Sequence, residues 1–186
     1  MKILTKYAIA AGLGLSVAAL PLQGLAALKQ GAKAPDFTLN AAQGGKEFQL
    51  SLKQTLRGGP VVLYFFPAAF TAGCTVEAHL FAEANGSFNQ LGARVIGVTA
   101  GNIDRVAEFS RSECRDKFAV AADPGARIAA KYDATMQTAD GKTLSNRTSY
   151  VIAPNGTILL SYTDSKPQAH VEKTMAAVRA WNGRRR

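Results

Sequence analysis

Pro67, Thr71 and Cys74 stand at the spacing P-x-x-x-T-x-x-C, within a run from Val61 that reads Val-Val-Leu-Tyr-Phe-Phe-Pro-Ala-Ala-Phe-Thr-Ala-Gly-Cys. That arrangement can do thiol chemistry. The apolar stretch reads as a buried strand ending at Pro67, followed by a turn of small residues and a helix that Cys74 opens. A cysteine in the first turn of a helix faces unpaired backbone N–H groups and the positive end of the helix dipole. Both favour the thiolate, which is the nucleophilic form. Thr71, three residues upstream, is near enough to aim its hydroxyl at the sulfur or at an attacking substrate. A free cysteine is more commonly a packed core residue. The flanking Pro67 and Thr71 make a reactive thiol the better reading of Cys74.

Strands and helices alternate around this segment, which predicts an α/β fold. Residues 60–66 are continuously apolar, as a central strand buried on both faces would be. A helix is expected over 73–91, with Val76, Leu80, Ala84 and Phe88 on its apolar face and Gly92 at its end. Residues 36–40 and 47–50 read as an N-terminal hairpin turning through Gln43-Gly44-Gly45. Residues 93–99 give a second central strand, Ile103, Val106 and Phe109 a helix reaching about Ser112, and residues 118–122 a short strand. A helix near 126–132 follows Asp123-Pro124-Gly125, and strands 148–153 and 157–162 form a hairpin around Pro154-Asn155-Gly156. Pro167 fits the first turn of a last helix running through Val171, Met175 and Val178 to Trp181. There is no internal repeat and no linker.

The N-terminus has a different character. Lys2 and Lys6 precede an uncharged apolar run from Tyr7 to Leu22, and Gly24-Leu25-Ala26 then supplies small residues where a signal peptidase reads them. This is the layout of a secretory signal peptide over 1–26, with cleavage expected after Ala26 and Ala27 as the next choice. As a membrane anchor the stretch is short and is weakened by Gly12, Gly14 and Pro21. Residues 27–186 would then be one domain of about 160 residues with one core. The expected location is the periplasm. The formal charge of +9 falls to +7 without Lys2 and Lys6, and part of it sits in Arg184-Arg185-Arg186. No aromatic stripe or recognition helix accompanies that charge, so a solvated basic surface is expected rather than a nucleic-acid or membrane contact.

The Pro67/Thr71/Cys74 spacing resembles that of the peroxiredoxins, and the resemblance runs over nearly all of the chain after the leader. Gly31-Ala-Lys-Ala-Pro-Asp-Phe-Thr-Leu39 is similar to the family's opening strand, and Asn146-Arg-Thr-Ser-Tyr-Val-Ile152 to its late arginine strand. Gly73-Cys-Thr-Val-Glu-Ala78 resembles the bacterioferritin-comigratory-protein (PrxQ) subgroup of the AhpC/TSA family. The resemblance implies a thioredoxin-like fold, in which a central mixed sheet is flanked by helices and carries an N-terminal hairpin. It also implies a thiol peroxidase that reduces hydrogen peroxide and organic hydroperoxides without a cofactor, re-reduced by a thioredoxin-like or other thiol donor. By the same resemblance Cys74 is the peroxidatic thiol, Thr71 directs its hydroxyl at sulfur and peroxide, and Pro67 shields the pocket. Arg147 stabilises the thiolate and the developing charge. Glu77 could pair with Arg147, or it could be an exposed helix residue.

A sulfenic acid formed at Cys74 needs a second thiol to become a disulfide. Many members of the subgroup carry one five residues on, where this chain has His79. Cys114 is the only other cysteine, and its place after the second helix is similar to the resolving position of other PrxQ-like proteins. A bystander Cys114, with resolution by a thiol from elsewhere, is the alternative. A monomer or weak dimer is expected. A disulfide oxidoreductase on the same fold would want C-x-x-C, but Ala72-Gly73-Cys74-Thr75 holds one cysteine. A non-catalytic chaperone or binding module would not need Thr71, Cys74 and Arg147 together. No metal site is expected: Cys74 and His79 miss the i, i+4 pairing, and His170 is expected to face solvent.

Overall fold

The apolar run before Cys74 becomes β3 (Val61–Ala68), an interior strand of a seven-stranded mixed sheet ordered β2-β1-β5-β4-β3-β8-β9. A computed structural model describes residues 27–184, so the proposed leader at 1–26 lies outside the described residues. The hairpin of β1 (Thr38–Gln43) and β2 (Lys46–Ser51) forms one edge of the sheet. β4 (Arg94–Gly101) and β5 (Ala119–Ala122) extend β3 in parallel. On the other side of β3 come β8 (Thr148–Ile152), antiparallel to β3, and β9 (Ile158–Thr163), antiparallel to β8. The helices are α1 (Leu52–Leu56), α2 (Ala72–Gln90), α3 (Val106–Ser112), α4 (Arg127–Lys131) and α5 (Pro167–Gly183).

Side chains alternate across a strand, so β3 feeds two cores. Val61, Leu63 and Phe65 enter one, with Leu52 and Leu56 of α1 and Ile128 and Ala129 of α4. Val62, Tyr64 and Phe66 enter the other, with Phe81 and Phe88 of α2, Phe109 of α3 and Val178 of α5. Each fully buried Phe contributes about 1.5–3 kcal/mol relative to exposure. Cys74 and Cys114 both belong to the second core. Both cysteines of the sequence reading are therefore on one face of the sheet.

Three short elements, α1 and two strands, were absent from the sequence reading. Ser51 caps α1 by accepting from the Gln54 N–H at 3.3 Å. β6 (Thr135–Gln137) and β7 (Thr143–Ser145) pair as a separate ribbon, too short and polar to give a periodic signal.

The face of α2 also differs from expectation. Val76 is 42% exposed and Leu80 and Ala84 are half-buried, whereas Cys74, Glu77, Ala78, Phe81, Ala82, Asn85 and Phe88 are buried. A row of residues four apart drifts around a helix of 3.6 residues per turn. Glu77 and Asn85 lie on the true inner face, so an apolar pattern could not find it.

Candidate active site

β3 and β4 together hold the turn that delivers Cys74. Ala69 N–H donates to the Gly101 carbonyl at 3.2 Å, and the Asn102 side-chain amide donates to the Ala69 carbonyl at 2.7 Å. The Thr99 hydroxyl donates to the Pro67 carbonyl at 3.2 Å. Phe70 takes a left-handed conformation (φ 63°) with the Arg105 guanidinium 3.8 Å from its ring centroid. Thr71 is the N-cap of α2, with extended backbone, and its hydroxyl donates to the Ala68 carbonyl at 3.1 Å. Cys74 then lies in the first turn of α2 and is 1% exposed.

Arg147 approaches from the other side of β3, because it immediately precedes β8. Its Nη2 is 3.6 Å from Cys74 Sγ, and its Nη1 forms an ion pair with Glu77 Oε2. Gly73 leaves room for this approach, since a Cβ there would come within 3.0 Å of Nη2. The guanidinium is thereby a fixed, planar donor beside the sulfur. The structure thus brings Thr71, Cys74, Glu77 and Arg147 to one corner, and it resolves the two readings of Glu77: the carboxylate is buried. Burial lifts Glu77 to about 8, outweighing the opposing pull of Arg147.

Two further residues abut this corner that sequence reasoning did not find. His170 is fully buried rather than facing solvent, a correction to the expectation above. Its ring is held between Ser149 Oγ, 2.8 Å from Nδ1, and the Asp164 carbonyl, 2.9 Å from Nε2. The available signal was the spacing of His170, Thr174 and Val178, four apart on α5 and all buried. Tyr64 is the second. Its buried hydroxyl has no hydrogen-bond partner among the described residues, and a Cβ at Gly97 would come within 2.9 Å of it. Burial, then the acidic neighbours Cys114, Glu77 and Cys74, hold the phenol well above its ordinary value.

Cys114 has different surroundings from Cys74. It follows α3 in a turn where its N–H donates to the Phe109 carbonyl at 3.1 Å. Arg115 and Asp116 then take left-handed conformations, φ 50° and 61°. Burial first, then the Glu113 carboxylate, pushes the Cys114 thiol up, so it is held as the neutral thiol. Two pairs flank it and tie the turn to α2: His79 with Glu113 at 2.9 Å, and Arg115 with Glu83 at 3.4 Å. Both cysteines are free and buried. One sulfur faces a cation and the other does not. Such a pair can divide the labour between a nucleophile and a later partner.

Residues 30–161 match the AhpC/TSA family. The chain is 32% identical over 151 residues to a chloroplastic peroxiredoxin Q of Gentiana triflora, covering 81% of this chain and 66% of that protein. It therefore spans just under two thirds of that plant relative's length. It is also 32% identical over 149 residues to a putative peroxiredoxin of Mycobacterium tuberculosis, covering 78% of this chain and 92% of that one. Among solved structures, peroxidoxin BcpB from Mycobacterium tuberculosis is similar at TM-score 0.73 and 29% identity, over 82% of this chain and 97% of that one. Thioredoxin peroxidase I of Plasmodium yoelii, at TM-score 0.71 and 19% identity over 84% of this chain and 92% of that one, shares the fold. The fold is the thioredoxin-like α/β class that the sequence resemblance implied.

Proposed function

Because the chain belongs to the AhpC/TSA family, we propose that it is a thiol peroxidase of the peroxiredoxin Q kind, acting on hydrogen peroxide and organic hydroperoxides. The observation that carries this reading is the Arg147 Nη2 to Cys74 Sγ distance of 3.6 Å, with Glu77 orienting the arginine. The Cys74 thiolate attacks one peroxide oxygen, the S–O bond forms as the O–O bond breaks, and the departing oxygen leaves as water or alcohol after taking a proton. Charge moves from sulfur to oxygen in that step, and a guanidinium donor fixed beside both stabilises it. Thr71, the N-cap of α2, offers a hydroxyl at the helix start for steering the peroxide, and Pro67 stands one residue before the end of β3.

The resulting sulfenic acid is attacked by the Cys114 thiol, releasing water and leaving a Cys74–Cys114 disulfide. A thioredoxin-like or other dithiol donor supplies the two electrons that restore both thiols. The neutral, buried state of Cys114 supports its role as a latent resolver: it does not compete for peroxide. We further propose that the chain is exported to the periplasm and acts there as a monomer or weak dimer. Peroxide consumption by the purified protein, with a dithiol donor, tests the function. Cys74→Ser, close in size to the native residue, should abolish turnover with the melting temperature kept. A serine variant with most of the native rate would end the assignment.

A further inference from the structure

His170 closes a buried line of polar groups that begins at the Cys74 sulfur. From sulfur the line runs through Arg147 to Glu77 Oε2, and from Glu77 Oε1 across 3.8 Å to His170 Nδ1. His170 and Glu77 are both 0% exposed, and neither the sulfur nor Arg147 is open to water to any extent that would screen them well. The hydrogen bonds fix where the protons are. Nε2 of His170 faces the Asp164 carbonyl, which can only accept, so Nε2 carries hydrogen. In a neutral ring Nδ1 is then an acceptor, and it takes the Ser149 hydroxyl. Glu77 Oε1 makes no hydrogen bond and faces that same nitrogen. With a neutral ring and an ionised carboxylate, two acceptors confront each other in a dry interior, which is costly.

We propose that Glu77 and His170 share one additional proton, and that this proton makes His170 a positioning residue for Cys74 through Glu77 and Arg147. The proposal rests on the peroxidase reading for its purpose, though not for its test. The charges explain the purpose. With an ionised Glu77 and a neutral His170, the line of thiolate, guanidinium and carboxylate carries a net negative charge. One proton on the Glu77–His170 pair makes the line neutral, and leaves more of the positive charge of Arg147 for the sulfur. Burial lifts Glu77 and lowers His170, so the carboxyl oxygen facing Nδ1 is the favoured seat of the proton. The titratable and charged groups around the pair are Cys74 on α2, Tyr64 on β3, Arg147 before β8, Tyr162 on β9 and Asp164 beyond it. Arg147 is the cation among them, and its pairing with Glu77 is what the shared proton moderates.

Coupling of this kind is reciprocal: if the proton favours the thiolate, the thiolate favours the proton. The chain has two histidines, so the nitrogen NMR resonances of His170 can be assigned by comparison with His79→Gln. In the reduced protein His170 should keep its Nε2–H tautomer, while Nδ1 shifts as the pair releases its proton at neutral to alkaline pH. In Cys74→Ser, which cannot hold the negative charge, that midpoint should fall by about one pH unit, a roughly tenfold loss of proton affinity. An Nδ1 resonance that does not respond to pH, or the same midpoint in both proteins, overturns the proposal. Neither measurement uses peroxide, so a failed peroxidase assay would reject the function and leave this comparison to stand alone.

His170→Gln then separates positioning from structure. Glutamine can donate to the Asp164 carbonyl and accept from Ser149, but it cannot bind a proton at neutral pH. The rate constant for oxidation of Cys74 should fall with rising pH in the native protein as the shared proton leaves, and the pH of that fall should move in the glutamine variant. A pH profile in His170→Gln that superimposes on the native one overturns the proposal. If the variant does not fold, the resonance comparison decides, since it leaves position 170 intact.

Discussion

Arg147 divides its guanidinium between two partners, Nη2 lying 3.6 Å from Cys74 Sγ while Nη1 pairs with Glu77. The two nitrogens belong to one rigid plane, so fixing one against a buried carboxylate fixes the direction of the other. A lysine ammonium is a point charge on a flexible stem and cannot hold both partners in this way.

Arg147→Ala should lower the second-order rate constant for peroxide by about 10²–10³-fold, the usual cost of removing a donor that stabilises developing charge on oxygen. Arg147→Lys should recover only a small part of this. Rapid-mixing measurements under single-turnover conditions check it, and a lysine variant at the native rate would remove the paired geometry from the mechanism.

Glu77 makes stability depend on pH in an unusual sense for a carboxylate. Its ordinary value is 4.5 and burial raises it to about 8 in the folded protein. Between those values the folded state holds a proton that the unfolded chain has released. This stabilisation is complete below the lower value and is lost as pH rises through the upper one, at a slope of up to about 1.4 kcal/mol per pH unit. Glu77→Gln should flatten that slope and gain relative stability on the alkaline side. Urea unfolding at several pH values measures it, and equal slopes in the two proteins would mean that Glu77 is ionised in the folded state.

Cys114→Ser should still reduce the first peroxide but should pass readily to the sulfinic acid, because nothing traps the sulfenic acid. Turnover with a dithiol protein donor should drop sharply. Substoichiometric peroxide should convert the native protein into a monomer lighter by two hydrogens. A covalent dimer would make resolution intermolecular. A sulfenic acid persisting beside a free Cys114 would make that residue a bystander.

Protein recovered from cells should begin at Ala27 or Leu28 if residues 1–26 direct export. N-terminal sequencing reads this directly. An intact Met1 on a cytoplasmic product would discard the periplasmic proposal and bring ordinary cytosolic thiol donors within reach.

The strands and the meeting of Cys74 with Arg147 were legible because their signals are local or resemble a known motif. The continuous apolar run of β3 and the helix start at Cys74 need no tertiary information, and Arg147 was reached through its resemblance to a strand motif. What escaped the reading depends on contacts between distant segments. Glu77 looks like a surface residue until β8 brings Arg147 against it. His170 looks solvent-facing until Ser149 and Asp164 supply its partners. The inner face of α2 was misplaced for the same reason, since two of its buried positions are polar and meet distant groups, Glu77 pairing with Arg147 through Oε2 and Asn85 donating to the Lys117 carbonyl at 3.1 Å.

The separation of the two cores by the sheet bears on how the molecule would withstand the proposed cycle of oxidation and reduction. Bonding Cys74 to Cys114 would involve α2, which carries one buried sulfur, and the turn after α3, which carries the other. Side chains tie these segments together through two ion pairs, each worth about 0–1 kcal/mol, and through the Asn85 amide on the Lys117 carbonyl. The opposite core, with Leu63, Phe65, Tyr132, Tyr150 and Ile152 packed under α1 and α4, contains neither sulfur. That half can act as a fixed keel. Oxidation then becomes a one-sided event, with amide exchange quickened in the helices over the sulfurs and left slow in the strands beneath α1 and α4.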